Sequence, residues 1–149
     1  MIYRGPQLED LPAINALMLR SKAHWGYDAK FMAACEDELT ISGTDLKLSP
    51  VLVCYDGDVP VGVAKLLYQD GKCYLHHLFV DPGAMGQGIG RALMDWARRK
   101  AISAGFRTIE IEADPFAAPF YEHLGAVRIG KVASQSIPGR DLPLHQLKL

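Results

Sequence analysis

Three glycines at alternate positions, in Gly86-Gln87-Gly88-Ile89-Gly90 followed by Arg91, make the segment best suited to chemistry. Glycines let a backbone come close to an anion and turn successive N–H groups towards it. The segment stands between a strand pattern and a helical one, so the helix's first turn adds unpaired donors and the positive end of its dipole. A pyrophosphate is the natural occupant, with a ligand-free turn as the alternative. Two rival phosphate loops fail on spacing. A P-loop needs Gly-x-x-x-x-Gly-Lys-Ser/Thr, but Gly83 to Gly88 is followed by Ile89 and Gly90, with no lysine. A dinucleotide fingerprint needs Gly-x-Gly-x-x-Gly, whereas here every second residue is glycine.

Other residues are candidates for moving protons or holding an acceptor. In the 108–113 stretch Ile109 and Ile111 share one strand face, and Thr108, Glu110 and Glu112 the other. Glu110 is thus a candidate base, or else half of a salt bridge. His76 and His77 are neighbours in a strand pattern and are expected on opposite faces, which rules out joint metal ligation. One of them, taken as His76, would face the cleft, where an imidazole suits proton relay at neutral pH. Lys22, His24, Trp25 and Tyr27 cluster between the first two helical patterns. An aromatic wall there can receive an acceptor's cation or apolar body, and Trp25 equally suits core packing. Arg140 lies in a Pro-Gly turn, open to an acidic acceptor, a partner subunit or solvent. Cys35, Cys54 and Cys73 lack any CxxC spacing and sit in apolar stretches, so they read as small buried hydrophobes; no metal is expected.

These residues need a frame. Ile2 to Arg4 reads as a short strand. From Glu9 a helical stripe runs through Leu11, Ile14, Leu17 and Met18, with Pro12 tolerated in the first turn. Asp28 can cap a second helix running towards Ser42, with Phe31, Cys35 and Leu39 spaced for burial. The period then changes to that of strands: Val51–Tyr55, Val59–Tyr68 and Cys73–Val80, joined at Asp56-Gly57-Asp58 and Asp70-Gly71-Lys72 as an antiparallel meander. A long helix follows from Ile89 to about Ala104, with Ile89, Leu93, Trp96, Ala97 and Ala101 inward and Gly105 as its stop. Thr108–Ala113 is a strand, Pro115–Leu124 a short helix, Ala126–Ala133 a strand, Ser136–Arg140 a loop and Leu142–Leu149 the last strand. This order predicts an α/β fold, a mixed and mostly antiparallel sheet with helices on both faces, in one domain over residues 1–149.

Composition narrows the classes. At 49% hydrophobic and 22% charged residues the chain reads as globular, not disordered. A formal net charge of −1 argues against a general nucleic-acid binder, and Arg98-Arg99-Lys100 reads as the solvated face and C-terminal charge complement of a helix. No apolar run is long enough for a signal peptide or a membrane span, so a cytoplasmic location and no membrane partner are expected.

The motifs resemble the GNAT N-acetyltransferase superfamily over nearly the whole chain. Leu78-Phe79-Val80-Asp81-Pro82 followed by Gly86-Gln87-Gly88-Ile89-Gly90 is similar to its acetyl-CoA motif of strand, pyrophosphate loop and helix. Phe120-Tyr121-Glu122-His123-Leu124-Gly125-Ala126 is similar to a later motif in which a tyrosine lies near the CoA sulfur. The resemblance implies acetyl-CoA as co-substrate, its pantetheine arm bound by backbone groups of Leu78 and Val80 at a splay between strands. It departs at Met85, where the family has Arg or Gln, and at Phe116, where Asn is common.

Direct transfer to an amine acceptor, small molecule or protein, is the implied reaction. A protonated alkyl amine has a pKa of about 10.4, so freeing it at pH 7 costs roughly 4–5 kcal/mol, and a base is useful. The Val80 N–H can stabilise the oxyanion, and Tyr121 can protonate the departing thiolate as general acid. The alternatives are that Tyr121 is a core aromatic, and that the chain is a catalytically silent CoA-binding sensor. A homodimer through C-terminal strands is a further expectation.

Overall fold

A computed structural model describes residues 1–149. In chain order the elements are β1 (Ile2–Arg4), α1 (Leu11–Ala23), α2 (Ala29–Cys35), α3 (Gly43–Leu48), β2 (Val51–Asp56), β3 (Val59–Gln69), β4 (Lys72–Val80), α4 (Ile89–Ser103), β5 (Thr108–Glu112), α5 (Ala118–His123), β6 (Val127–Ala133) and β7 (Asp141–Lys148). Single 3-10 turns at Leu8–Asp10 and Pro82–Ala84 precede α1 and the glycine segment. The strands form one sheet in the order β1-β2-β3-β4-β5-β7-β6. All neighbours are antiparallel except β4 and β5.

Alternation along the central strands sends side chains to two cores. Val53, Tyr55 and Val63 join Leu11, Ile14, Leu17 and Met18 of α1 on one face. Cys54 and Ala64 meet Ile89 and Leu93 of α4 on the other. Helices therefore cover both faces, as the pattern predicts. On α4, Met94 is buried where Trp96 was expected to be, and Trp96 is only half-buried. Gly105, at φ +91°, ends the helix, and Phe106 N–H returns to the Ala101 carbonyl at 3.0 Å.

One expectation needs correction. The second helix does not run to Ser42: α2 stops at Cys35, and a separate helix, α3, begins at Gly43. The reason is local. Ser42 accepts from Asp45 N–H, and Asp45 accepts from Ser42 N–H at 2.8 Å, a reciprocal cap that starts a new helix. The last strand, β7, lies inside the sheet between β5 and β6, so the two edges are β1 and β6, and on β6 Val127 and Ile129 are exposed.

The β4–β5 junction positions the site. Their parallel pairing has a single register, Tyr74↔Glu110, and beyond it the strands part. Across β4 from this gap, the ladder to β3 shifts between Lys65 and Leu66: Lys65 faces His77 while Leu66 faces Leu75, leaving His76 as the extra residue of a bulge.

Candidate active site

A cleft of about 530 Å³ runs from the glycine segment through the gap between β4 and β5 to the far side of the sheet. Its end at the glycine segment is built from backbone. Gly86 and Gly88 both adopt φ +80°, where a side chain is strained, and Gly88 caps α4 in the left-handed region. No backbone N–H from Met85 to Arg91 finds an acceptor within the chain. A run of unpaired donors at the start of a fifteen-residue helix fits a diphosphate. Asp81 fixes the entry, accepting from Gly83 N–H at 3.0 Å and pairing with Arg20 at 2.6 Å. Gly90 leaves Phe120 little spare room: a Cβ there would lie 3.3 Å from Phe120 Cζ.

The gap supplies the next stretch. Asp81 N–H bonds to Val61 O on the β3 side at 2.8 Å, so by alternation the Val80 and Leu78 amides point to the opposite edge, which β5 has left. Leu78, Phe79, Val80, Met85, Ile89 and Arg91 line the cleft, as do Phe116, Phe120 and Tyr121 opposite; Gln87 does not. Phe116 stacks on Trp25, with ring centroids 5.5 Å apart, and forms part of an aromatic rim where an asparagine would donate. Tyr121 is buried at 6% exposure; burial, and then the charge of Asp114, push its phenol well above the ordinary value, so it keeps its proton at neutral pH.

The candidate bases separate. Glu110 does not line the cleft. It sits at the one register where β4 and β5 still pair, is 6% exposed, and accepts from Gln146 Nε2 at 3.3 Å, with Oε2 unpartnered. Glu112, on the same face but past the last paired register, lines the cleft instead. Burial, and then the neighbouring Glu38 carboxylate, raise its carboxyl above the ordinary range. The two histidines do not point to opposite faces: the bulge brings their rings together, with centroids 4.2 Å apart and planes at 24°. Both line the cleft. Lys65 Nζ lies 3.0 Å from His76 Nδ1, and an ammonium only donates, so Nδ1 accepts and the proton sits on Nε2. Burial and then Lys65 lower the His76 value, keeping the ring neutral. His76 therefore presents a donor, not a free base, unless its bond to Lys65 breaks.

Of the aromatic cluster, Trp25 lines the cleft while His24 and Tyr27 do not. Tyr27 belongs to a charged knot around Asp114, whose Oδ2 accepts from Tyr27 at 2.8 Å and from Lys22 at 2.9 Å. Arg140 donates to the Tyr27 oxygen at 2.7 Å and lies 3.7 Å from Asp114, so it is engaged within the chain and not simply solvated. Burial, with the bond to Asp114, pushes Tyr27 up to about 12. Burial alone would raise Asp114, but its bonds from Lys22, Phe116 N–H and Tyr27 outweigh that and hold it below the ordinary range. Asp114 carries one local signal in the sequence, an Asp directly before Pro115 that marks a turn and nothing of this knot. Glu38 gave no local signal at all. No group of three His, Cys, Asp or Glu side chains is placed to hold a metal ion.

Comparison with known proteins agrees with this architecture. The acetyltransferase (GNAT) domain family matches residues 28–136. No curated protein matches the chain. Among solved structures, a GCN5-related N-acetyltransferase from Rhodopseudomonas palustris is similar at a TM-score of 0.82 and 22% identity, covering 99% of this chain and 95% of that one. The PaiA N-acetyltransferase from Thermoplasma acidophilum, in complex with coenzyme A, has a TM-score of 0.79 at 16% identity, over 99% and 98% of the two chains. The acetyltransferase YncA from Salmonella typhimurium, with acetyl-CoA, has 0.70 at 23% identity, over 99% and 93%. At these identities the likeness is one of fold.

Proposed function

The chain belongs to the GNAT acetyltransferase family, and from that premise we propose that it moves the acetyl group of acetyl-CoA directly to the nitrogen of an amine acceptor. One observation carries the reading. A single cleft joins the unpaired amides of Met85 to Arg91, the open edge of β4 at Leu78 and Val80, and Tyr121. Acetyl-CoA supplies a thioester carbonyl; the C–N bond forms on that carbon as the C–S bond breaks. The loop amides hold the diphosphate, while Phe116 and Phe120 offer apolar surface to the pantetheine arm.

Glu112 takes the amine proton, directly or through water; its raised carboxyl makes it a stronger base than an ordinary glutamate. The Val80 N–H donates to the carbonyl oxygen as that atom gains charge. Tyr121 passes its proton to the sulfur. Trp25 lies on the acceptor side, and the neutral His76, which lines the same cleft as Glu112, offers its Nε2–H as a positioning donor.

The test is release of free thiol from acetyl-CoA across a panel of amines, with binding followed separately by calorimetry. Amine-dependent release, lost together with binding in Gly88→Val, is the expected result, because a β-branched side chain at φ +80° would distort the amide cradle. Binding without release on any amine would favour a silent CoA-binding module.

A further inference from the structure

We infer that Lys65, held from behind by Asp45, is a positioning residue of the cleft: it fixes the proton of His76 on Nε2 and so bars that ring from serving as the base. The role rests on the transfer reaction proposed above and adds a residue to it. Lys65 is 2% exposed, and no other lysine or arginine is buried. Lysine side chains are almost never fully buried unless a partner holds them. The ion pair with Asp45 does not account for this burial, because it is loose. Lys65 Nζ lies 3.4 Å from Asp45 Oδ1, whereas a close pair of this kind sits at about 2.7–2.9 Å. The nearer contact is His76 Nδ1, at 3.0 Å.

Two features of the fold bring this contact about. In the ladder Lys65 stands opposite His77, and only the bulge turns the His76 ring to the Lys65 side. His77 receives nothing from the ammonium, and its Nε2 has no partner in the chain. Asp45 is itself fixed at the start of α3, where its Oδ2 accepts from Ser42 N–H at 2.8 Å. A line of polar groups thus runs from α3 through the buried lysine to a ring that lines the cleft. An ammonium has no lone pair to offer, so Nδ1 can only accept. The Nε2–H then holds a water or an oxygen of the bound acceptor, and the amine's proton falls to Glu112. The charged and titratable groups around His76 are Lys65 of β3 with Asp45 of α3 behind it, His77 stacked beside it, and Glu38 and Glu112 in the walls it shares.

Nitrogen-15 spectra of the imidazoles in the full chain read the tautomer without turnover, at about pH 8, where an ordinary histidine is neutral. The wild type should show His76 in the Nε2–H form alone. Lys65→Met should release the ring to a mixture of both forms and move its titration up, while Lys65→Arg, which also only donates, should keep the wild-type pattern. Kinetics then read the role. Glu112→Gln is expected to lower kcat/KM about 10²-fold, and adding Lys65→Met should recover about tenfold, because Nε2 gains a lone pair that accepts the amine's proton. The double variant should also regain an acid limb, which Glu112→Gln with Lys65→Arg should lack. An Nδ1–H form in the wild type, a ring unmoved by Lys65→Met, or no recovery in the double variant overturns the inference and leaves acetyl transfer standing. If Lys65→Met fails to fold, the wild-type spectrum decides. Should no amine be acetylated, the transfer reading falls, and the spectra still decide what fixes the His76 proton.

Discussion

Tyr121 belongs to the core beneath α4, beside Ile111, Ala113 and Ala126, and also lines the cleft. Removing only its hydroxyl separates the two roles. Tyr121→Phe should keep the ring packing and stability within about 1 kcal/mol while lowering kcat about 10²-fold, as loss of a general acid does; steady-state thiol release and urea unfolding measure the pair. Because burial raises the phenol, no alkaline limb below pH about 10 should come from this residue. Glu112 acts at the other end of the profile. A base works only when deprotonated, so kcat/KM should rise with pH through a carboxyl value above the usual range. Glu112→Gln should lower kcat/KM about 10²-fold and abolish that acid limb, leaving only the titration of the amine. The same substitution at Glu110 should leave the profile's shape intact, since Glu110 faces Gln146 and not the cleft.

Elements hold these groups in place. Helix α4 lies so close to β3 that a Cβ on Gly62 would meet Ile89 Cγ2 at 2.6 Å, a branch atom that cannot swing aside. Gly62→Ala should therefore push α4 off the sheet, cost about 1–3 kcal/mol in urea unfolding and weaken acetyl-CoA binding, because Ile89 opens the helix that carries the loop amides. Across the cleft, Asp114 joins α1 through Lys22, the following loop through Tyr27 and the turn before β7 through Arg140. Its carboxyl is lowered in the folded chain, so its contribution to stability is complete above the ordinary carboxylate value of about 4 and is lost as pH falls through the lowered one. Asp114→Asn should cost about 2 kcal/mol at pH 7 and flatten the loss of stability between neutral pH and pH 3, read by urea unfolding at each pH.

At the scale of the whole molecule, the cleft crosses the gap in the sheet, so a ligand filling it touches the cores on both faces. Acetyl-CoA at about a hundredfold excess over its Kd should add about 2.7 kcal/mol to stability and raise Tm by roughly 5–11 °C, measured by thermal shift. The order of the elements and the glycine cradle were legible in the sequence. Strand and helix periodicities, the Asp-Gly turns and the freedom of Gly86 and Gly88 to take positive φ all act over a few residues. Ser42-x-x-Asp45 was equally legible in principle, as a capping signal inside what otherwise reads as one helix. What tertiary structure alone decided is which acid reaches the cleft. Glu110 and Glu112 are equivalent on an isolated strand; they differ because β4, from another part of the chain, pairs with β5 at one register and then departs. The bulge that stacks His76 on His77 and the knot that takes Tyr27 away from the cleft have the same origin, since both depend on contacts between residues distant in the chain, which no local pattern records.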